Sequence, residues 1–328
     1  MTEADHDDPS NLIPPHLSGR TPHTIAESPP LTVSPPHLVT LSSSRGRTLL
    51  IAAALLWSLN GVIVKSPPLQ AIPLEDRGWL LACYRSLFAS VALLPLVSWR
   101  RVRWRPGLLV SAATFTAMNT LYVIGLTRTS AAAAAFLQYT STIWIFLFGW
   151  FALKERVHRG NVVALLGTVA GIAFIVLFEG DQQRADGNWI ALGSGVAFAG
   201  VILSLRWLRD EDSAWLTLLN HLVSGVVLLP IVLPLNVELQ PLQWLLIALL
   251  GVVQMGLPYV LAARGVALVT VQEAALLLLL EPLVNPLWVW LCWGEAVGWS
   301  TLIGGGLILG GLALRFLAWP ERRSGFPA

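Results

Sequence analysis

The chain is poor in charged residues. Of its 328 residues, 12% are Asp, Glu, Lys or Arg and 55% are hydrophobic, whereas about 25% of the residues in an ordinary soluble domain are charged. This balance argues against a water-soluble globular protein. The formal net charge is only +2, and no basic stripe interleaved with aromatic residues lies outside the short loops between the apolar runs, so no nucleic-acid partner is expected.

Cysteine is also scarce, because Cys83 and Cys292 are the only two. Both lie in apolar segments, without a CxxC pair or the spacing of a zinc site. We interpret them as small core residues. The alternative is a disulfide, since both would lie towards the non-cytoplasmic side of a membrane. No metal ion and no cofactor is predicted.

The two ends of the chain differ in character from the rest. Residues 1–47 contain eight prolines, four of the six histidines and no helical periodicity, so they bury too little apolar surface to offset chain entropy. They are predicted to form a disordered cytoplasmic tail. Residues 319–328 are predicted to form a C-terminal cytoplasmic tail.

Between the tails lies a series of ten apolar runs. Each run is long enough, at 1.5 Å per residue, to cross roughly 30 Å of hydrocarbon as a helix. Strands are not expected, because the runs do not alternate between apolar and polar residues. The predicted fold class is an all-α polytopic membrane protein with ten transmembrane helices. The runs are 48–65, 79–98, 107–126, 130–151, 161–178, 188–205, 214–234, 243–263, 270–292 and 298–318.

The basic residues indicate an orientation. If the N-terminal tail is cytoplasmic, sixteen Lys and Arg residues fall on the cytoplasmic side and four on the other, and Arg85 lies inside a span. This excess predicts that both termini are cytoplasmic. We therefore expect a multi-pass protein of the cell (inner) membrane.

The chain contains an internal repeat. Residues 125–174 align with 265–314 without a gap, with ten identities in fifty positions, among them Glu155 with Glu295. Because each repeat unit contains five crossings, an odd number, the second copy must enter the membrane upside down. Inverted repeats of this kind are typical of carriers that work by alternating access. The two predicted five-helix repeats are residues 48–178 and 188–318.

Several motifs resemble those of one family. They are ALLWSLNGVIVK in span 1, LLACYRSLFA in span 2, TAMNTLYVIGLTRTSAAAAAFLQY in spans 3 and 4, FALKERV after span 4, and AALLLLLEPLVNPLWVW followed by GEAVGW in the second half. In this order, over residues 48–318, they resemble the drug/metabolite transporter superfamily, in its ten-span group built from two EamA-type domains. The resemblance implies a membrane carrier of small metabolites or drug-like compounds, often an exporter. One departure is that Ser141 and Thr142 match Glu281 and Pro282, so no proline kink is expected in the first half.

Few ionisable side chains lie inside the predicted spans, where each is costly and therefore a functional candidate. Arg85 lies in span 2 and Glu281 near the middle of span 9. We hypothesise that they interact, directly or through bound solute; the alternative is a pair that only fixes helix packing. His221 in span 7 is interpreted as a satisfied core histidine, with a proton relay as the alternative, and Glu273 as an interfacial charge.

Further polar and aromatic residues share helix faces with these groups. We expect them to line a central cavity, although interhelical hydrogen bonding explains each of them singly. The predicted substrate-binding or coupling residues are Glu281, Asn285 and Trp288 in span 9, Gln138, Ser141 and Thr142 in span 4, Asn119 and Tyr122 in span 3, Trp57 and Asn60 in span 1, Gln254 in span 8 and Arg85 in span 2.

These features predict a secondary active transporter of small metabolites or drug-like compounds, which exports amino acids or related solutes by alternating access. No nucleotide-binding loop, HExxH or Gly-x-Ser-x-Gly motif is present, so no catalytic residue is predicted and no enzyme is expected. The alternatives are a lipid or lipid-linked sugar flippase and, less favoured, an intramembrane transferase. The expected partners are a small-molecule substrate, the lipid bilayer and, in a homodimer, a second copy of the chain.

Overall fold

The computed structural model describes residues 36–151, 159–178, 182–208, 210–266, 268–269 and 271–318. The regular structure of these residues is helical throughout, without a strand. Residues 40–328 form one compact unit, and residues 1–39, of which 36–39 are described, fall outside it. The predicted C-terminal tail and most of the predicted N-terminal tail lie outside the described residues.

Fourteen α-helices are seen in this part of the chain, and a π-helical segment, Leu250–Gly256, joins two of them. The helices are α1 (Pro36–Val64), α2 (Pro67–Gln70), α3 (Leu74–Leu93), α4 (Pro106–Arg128), α5 (Ala131–Gln138), α6 (Ser141–Phe151), α7 (Arg159–Leu177), α8 (Gln182–Trp207), α9 (Ser213–Val232), α10 (Pro241–Leu249), α11 (Leu257–Val266), α12 (Val271–Leu278), α13 (Leu280–Trp293) and α14 (Trp299–Ala318).

Seven helical stretches in the described residues are long and apolar enough to cross a membrane. Two shorter apolar helices, Val162–Leu177 and Trp299–Leu314, accompany them. Each of the ten apolar runs contains helix where it is described, but ten crossings stay a prediction. The seven stretches are Ser44–Val64, Leu74–Leu96, Pro106–Arg128, Ala131–Phe148, Arg184–Leu205, Ser213–Leu235 and Pro241–Val266.

The first long helix starts earlier than the sequence predicts. Helix α1 begins at Pro36, so residues 36–47 are helical and not part of an unstructured tail. Proline is well tolerated in a first helical turn, where the missing N–H has no intrahelical partner. Gly46 packs so closely on another segment that a Cβ there would lie 2.7 Å from the Leu268 Cβ. This tertiary packing leaves no periodic signal in the sequence.

The fourth predicted span is broken between α5 and α6, although it contains no proline. The N–H groups of Tyr139, Thr140, Thr142 and Ile143 bond to carbonyls three residues earlier, at 2.9–3.1 Å, which tightens the chain locally. The ninth span breaks at the equivalent place in the repeat, at Leu279 between α12 and α13. The first half therefore breaks at this place without the proline whose absence was noted in the sequence.

The helices that carry the candidate site pack against each other. Helix α3 contacts α4 and α9, and it also lies along the π-helical segment. Elsewhere, α7 and α14 approach closely, since a Cβ on Gly171 would lie 2.3 Å from the Gly304 carbonyl oxygen. Small residues allow such close contact between helix backbones in membranes. The first predicted repeat is thus joined to the second through α7 and α14.

Candidate functional site

Arg85 is the centre of a buried hydrogen-bond network. Its side chain, on α3, is 1% exposed. The Nε and Nη2 atoms donate to the Asn119 Oδ1 of α4 at 3.0 and 2.5 Å, and Nη1 donates to the Asn60 Oδ1 of α1 at 3.2 Å. The guanidinium is therefore fixed by amide oxygens from two other helices.

Asn119 is fixed in turn by its own amide nitrogen. The Nδ2 atom donates to the Ala82 carbonyl oxygen at 3.0 Å, to the Ser86 Oγ at 3.1 Å and to the Ser224 Oγ of α9 at 3.0 Å. These acceptors leave Oδ1 to face Arg85. The structure thus brings the predicted residues Arg85, Asn119 and Asn60 together, and it adds α9 through Ser224, which the sequence analysis did not select.

The network gives Arg85 no carboxylate partner among the described residues. Ion pairs seen among these residues include Arg47 with Glu273, Lys65 with Glu295, and Arg105 with Glu211. The direct pair of Arg85 with Glu281 that was hypothesised from the sequence is not formed. A buried cation held only by neutral groups is costly, so this site favours an added anion.

Glu281 lies in the first turn of α13, just after the break at Leu279, and is partly buried. Its carboxylate has no hydrogen bond within the described part of the structure, but it interacts electrostatically with Tyr122, Tyr139 and Tyr259. The first and last of these tyrosines also interact with Arg85. The two charged groups therefore share two phenol neighbours.

Two of these three tyrosines were missed by the sequence analysis. Tyr139 lies at the break between α5 and α6, and it interacts electrostatically with Glu281, which lies just after the other helix break. Tyr259 stacks edge-on against Trp57 at 5.2 Å between ring centroids. Tyr122, which was predicted, lies near Asn60. The chain has only four tyrosines, and that scarcity was the available signal.

Asn285 and Trp288, predicted as cavity walls, hold α13 against α1. The Trp288 Nε1 donates to the Ser58 Oγ at 3.0 Å. Asn285 is 1% exposed, and a Cβ added to Gly61 would lie 2.0 Å from its Oδ1. This contact between α1 and α13 therefore leaves no room for a Cβ atom at position 61.

The remaining predicted residues lie near the helix breaks. Gln138 ends α5 and is partly buried, Ser141 is buried at the start of α6, and Thr142 is partly buried. Gln254 lies in the π-helical segment and is 3% exposed. Its Nε2 donates to the Trp57 carbonyl oxygen at 3.3 Å, so these two predicted residues of α1 and span 8 are in contact.

An ion pair lies at each end of the contact between α1 and the α12–α13 segment. Beyond the end of α1, the Lys65 Nζ is 3.5 Å from the Glu295 Oε2 and donates to the Thr129 carbonyl oxygen at 2.6 Å. Burial lowers the pKa of Lys65, and the Glu295 carboxylate partly offsets that effect. Near the other end, the Arg47 Nε donates to the Glu273 Oε1.

A separate apolar cavity of about 470 Å³ lies between α5, α13 and α14. No charged side chain lines it. Its walls include Pro282, Pro286 and Trp290 of α13 and Phe136 of α5, so it lies on a different face of α13 from the contacts with α1. Such a cavity suits an apolar chain rather than a charged solute.

Cys83 and Cys292 are both free, so the alternative of a disulfide between them is not formed. Cys83 is buried, as expected of a core residue, whereas Cys292 is exposed.

The chain belongs to the EamA-like transporter family, whose model matches it twice, at residues 44–177 and 186–317. It is 30% identical to an uncharacterized transporter of Archaeoglobus fulgidus over 240 residues, which are 72% of this chain and 85% of the relative. It is 24% identical to the uncharacterized transporter YwfM of Bacillus subtilis over 275 residues, 80% of this chain and 90% of that one.

Two more distant similarities agree with this. The human solute carrier family 35 member G1 is 23% identical over 196 residues, 54% of this chain and 52% of its own length. A solved crystal structure superposes with a TM-score of 0.61 at 17% identity, covering 85% of this chain and all but 1% of the other; this similarity concerns the fold alone. The protein is therefore a multi-pass membrane transporter with two EamA repeats, and the predicted family is confirmed.

Proposed function

We propose that the protein is a secondary active transporter that exports amino acids or related zwitterionic solutes by alternating access. The observation that carries the proposal concerns two charged groups, Arg85 and Glu281. They form no ion pair with each other among the described residues, but both interact electrostatically with Tyr122 and Tyr259. A solute with one negative and one positive end complements that arrangement.

The hydrogen-bond inventory supports a zwitterion. Arg85 uses three N–H groups on Asn60 and Asn119, and a guanidinium carries five. Two N–H groups remain for a solute carboxylate, which favours two-pronged binding to Arg. At the other end, the Glu281 carboxylate and the faces of Trp57 and Tyr259 suit an ammonium group.

The proposed topology has ten crossings, with the second repeat inverted relative to the first. The excess of basic residues on one side supports cytoplasmic termini in the cell membrane. The equivalent breaks in the fourth and ninth spans support the inversion, because they fall at matching places in the two repeats. Broken helices at mid-membrane are typical of solute sites in such carriers.

Two ion pairs, one at each end of the contact between α1 and the α12–α13 segment, support alternating access. Arg47 with Glu273 and Lys65 with Glu295 each join α1 to one end of the α12–α13 segment. When both pairs are formed, this contact is closed at both ends. In the proposed cycle one pair breaks while the other holds, so the Glu281 region opens to one side at a time.

Glu281 is also the proposed proton-coupling group. It is partly buried at a helix break and has no hydrogen bond within the described ranges. A carboxylate at membrane depth is a common proton carrier in transporters. Coupling would let the proton gradient or the membrane potential drive export without a nucleotide-binding domain.

The test compares the metabolites inside and outside cells that express the parent protein or Glu281→Gln at equal abundance in the membrane. The matched control is Glu238→Gln, because Glu238 is exposed between α9 and α10. An amino acid moved outward by the parent and the control but not by Glu281→Gln supports the proposal. Equal profiles for all three proteins contradict it.

A second candidate function is a lipid or lipid-linked sugar flippase. The observation that favours it is the apolar cavity beside Pro282 and Pro286, which would accept an acyl chain on the far face of α13. Scrambling of a labelled phospholipid in vesicles that contain the purified protein would support this function. Vesicles that show amino-acid export without scrambling would exclude it.

A further inference from the structure

We infer that His221 is a specificity-determining residue of the transport site, which together with Gln254 binds a neutral hydrogen-bonding group on the solute side chain. The inference rests on the proposed function and deepens it, because it names a class of amino acid: those with a hydroxyl or amide side chain. The charged ends of the solute are assigned to Arg85 and Glu281, and His221 is assigned to the polar group of the solute side chain.

The imidazole of His221 is buried without being satisfied. Its side chain, on α9, is fully buried, and neither Nδ1 nor Nε2 has a hydrogen-bond partner among the described residues. Buried polar side chains in native proteins are nearly always paired. The interpretation of His221 as a satisfied core histidine is therefore wrong, and its two unused nitrogens need an explanation.

His221 lies beside the Arg85 network. It precedes Ser224 by three residues on α9, so the two share a helix face, and Ser224 accepts a hydrogen bond from Asn119. The imidazole also interacts electrostatically with Arg85. As a neutral imidazole, His221 offers one N–H donor and one nitrogen acceptor.

Gln254 adds a second unused group, and it is linked to His221 through the rings of Trp57 and Tyr259. Its Nε2 donates to the Trp57 carbonyl oxygen, and its Oε1 is buried without a partner in the described ranges. Gln254 lies in the π-helical segment, and such segments often occur at functional sites. Gln254 therefore has an unused acceptor and also lies at a helix irregularity.

The Tyr259 ring packs against the rings of both Trp57 and His221. It contacts the Trp57 ring at 5.2 Å and the His221 ring at 6.1 Å between centroids. Tyr259 is partly exposed whereas His221 is fully buried, so the tyrosine is the more accessible of the two rings. Displacement of the Tyr259 side chain by the solute would open the path to His221. Phe115 supports the other side of the imidazole, at 4.7 Å.

The unused groups define the part of the solute that they bind. A hydroxyl can accept from the His221 N–H and donate either to the other His221 nitrogen or to the Gln254 Oε1, and an amide has enough donors for both. An aliphatic side chain leaves all three atoms unpaired. Sites built to form hydrogen bonds reject analogues that lack the bonding group far more strongly than apolar pockets discriminate by size. We therefore expect a preference for polar amino acids over apolar ones of the same shape.

The experiment measures the Kd of matched amino acids from the thermal shift of the purified full-length protein. The pairs are threonine with valine, asparagine with leucine, and tyrosine with phenylalanine. For at least one pair, the polar member is expected to bind at least about tenfold more tightly. His221→Phe should abolish that ratio by weakening the polar member alone, and it should not lower the melting temperature without ligand, since the ring packing against Phe115 and Tyr259 is retained.

Two further variants keep the inference falsifiable. His221→Gln retains a donor and an acceptor and should keep part of the preference, and Gln254→Met should reduce it. If polar and apolar members bind wild-type protein equally, or His221→Phe leaves the ratio unchanged, the inference is overturned while amino-acid binding stands. If no amino acid shifts the melting temperature of the wild type, the proposed function fails and the inference fails with it.

Discussion

The Lys65 Nζ lies 3.5 Å from the Glu295 Oε2. Lys65 directly follows α1 and Glu295 lies two residues after the end of α13, so this ion pair joins the two helix ends. Glu295 also accepts a hydrogen bond from the Ala131 N–H at 2.9 Å, at the start of α5. One carboxylate therefore connects the first broken helix, the second broken helix and α1. A motion that separates α1 from α13 must break this connection.

Cross-linking α1 to either end of the α12–α13 segment is expected to stop transport. In a background with Cys83→Ala and Cys292→Ala, cysteines at positions 65 and 295, or at 47 and 273, would be joined with a short bifunctional thiol reagent. Each cross-link should abolish amino-acid flux, because one of the two ends can no longer open. The measurement is counterflow in vesicles, with a cleavable reagent whose removal restores flux. Full flux in either cross-linked protein would contradict the proposed cycle.

The pH dependence of stability should report on Lys65. Its pKa is lowered from 10.5, mainly by burial, so near pH 10.5 and somewhat below it the unfolded chain binds a proton that the folded protein has released. Stability contributed by this group therefore rises with pH through that window. Glu295→Gln removes the offsetting carboxylate, so the rise should begin at lower pH.

The measurement is the melting temperature at stepped pH up to 10.5 for wild type, Glu295→Gln and Lys65→Met. Lys65→Met should lack the rise altogether. The amide of Glu295→Gln can still accept from the Ala131 N–H, which limits loss of the α5 cap. Identical pH profiles for wild type and Lys65→Met would refute this role of Lys65.

Asn119→Asp is expected to block solute binding, and it also removes the hydrogen bond that the Asn119 Nδ2 donates to the Ala82 carbonyl oxygen. The new carboxylate would pair with the Arg85 guanidinium and so compete with the solute carboxylate for it. We expect the Kd for amino acids to rise at least about tenfold. Asn236→Asp, at an exposed position between α9 and α10, is the matched control and should bind as the parent does. Unchanged binding in Asn119→Asp would show that Arg85 does not contact solute.

Trp288→Phe should weaken the contact between α1 and α13. The indole Nε1 donates to the Ser58 Oγ, and an interhelical hydrogen bond in a membrane contributes about 0.6 to 2 kcal/mol. The melting temperature should therefore fall. Trp290→Phe is the matched control, because Trp290 is largely exposed and should tolerate the change. Equal melting temperatures for the two variants would mean that the Ser58 bond contributes nothing measurable.

Much of the site could be predicted because polar residues are rare in apolar helices. Arg85, Asn119, Asn60 and Tyr122 are each conspicuous for that reason, and the structure brings them together. Their partners were not predictable, since the spacing on one helix says nothing about which neighbouring helix faces it. Arg85 thus bonds to amides where an ion pair with Glu281 was hypothesised.

The helix breaks and aromatic neighbours show a second limit. The break at Tyr139 and Thr140 depends on backbone hydrogen bonds three residues apart and not on a proline, so the sequence gives no sign of it. Tyr259 and His221 resemble ordinary packing residues in apolar spans. Only the contacts with Trp57 and the unused imidazole nitrogens distinguish them.

The most direct measurement is counterflow of labelled amino acids into vesicles that contain the purified protein. Wild type and Glu238→Gln should accumulate at least one labelled amino acid, whereas Arg85→Gln and Glu281→Gln should reduce its initial rate at least about tenfold. All four proteins must be reconstituted at equal abundance. Undiminished counterflow in both charge-removing variants, or no amino-acid counterflow by the wild type, would contradict a zwitterion site between Arg85 and Glu281.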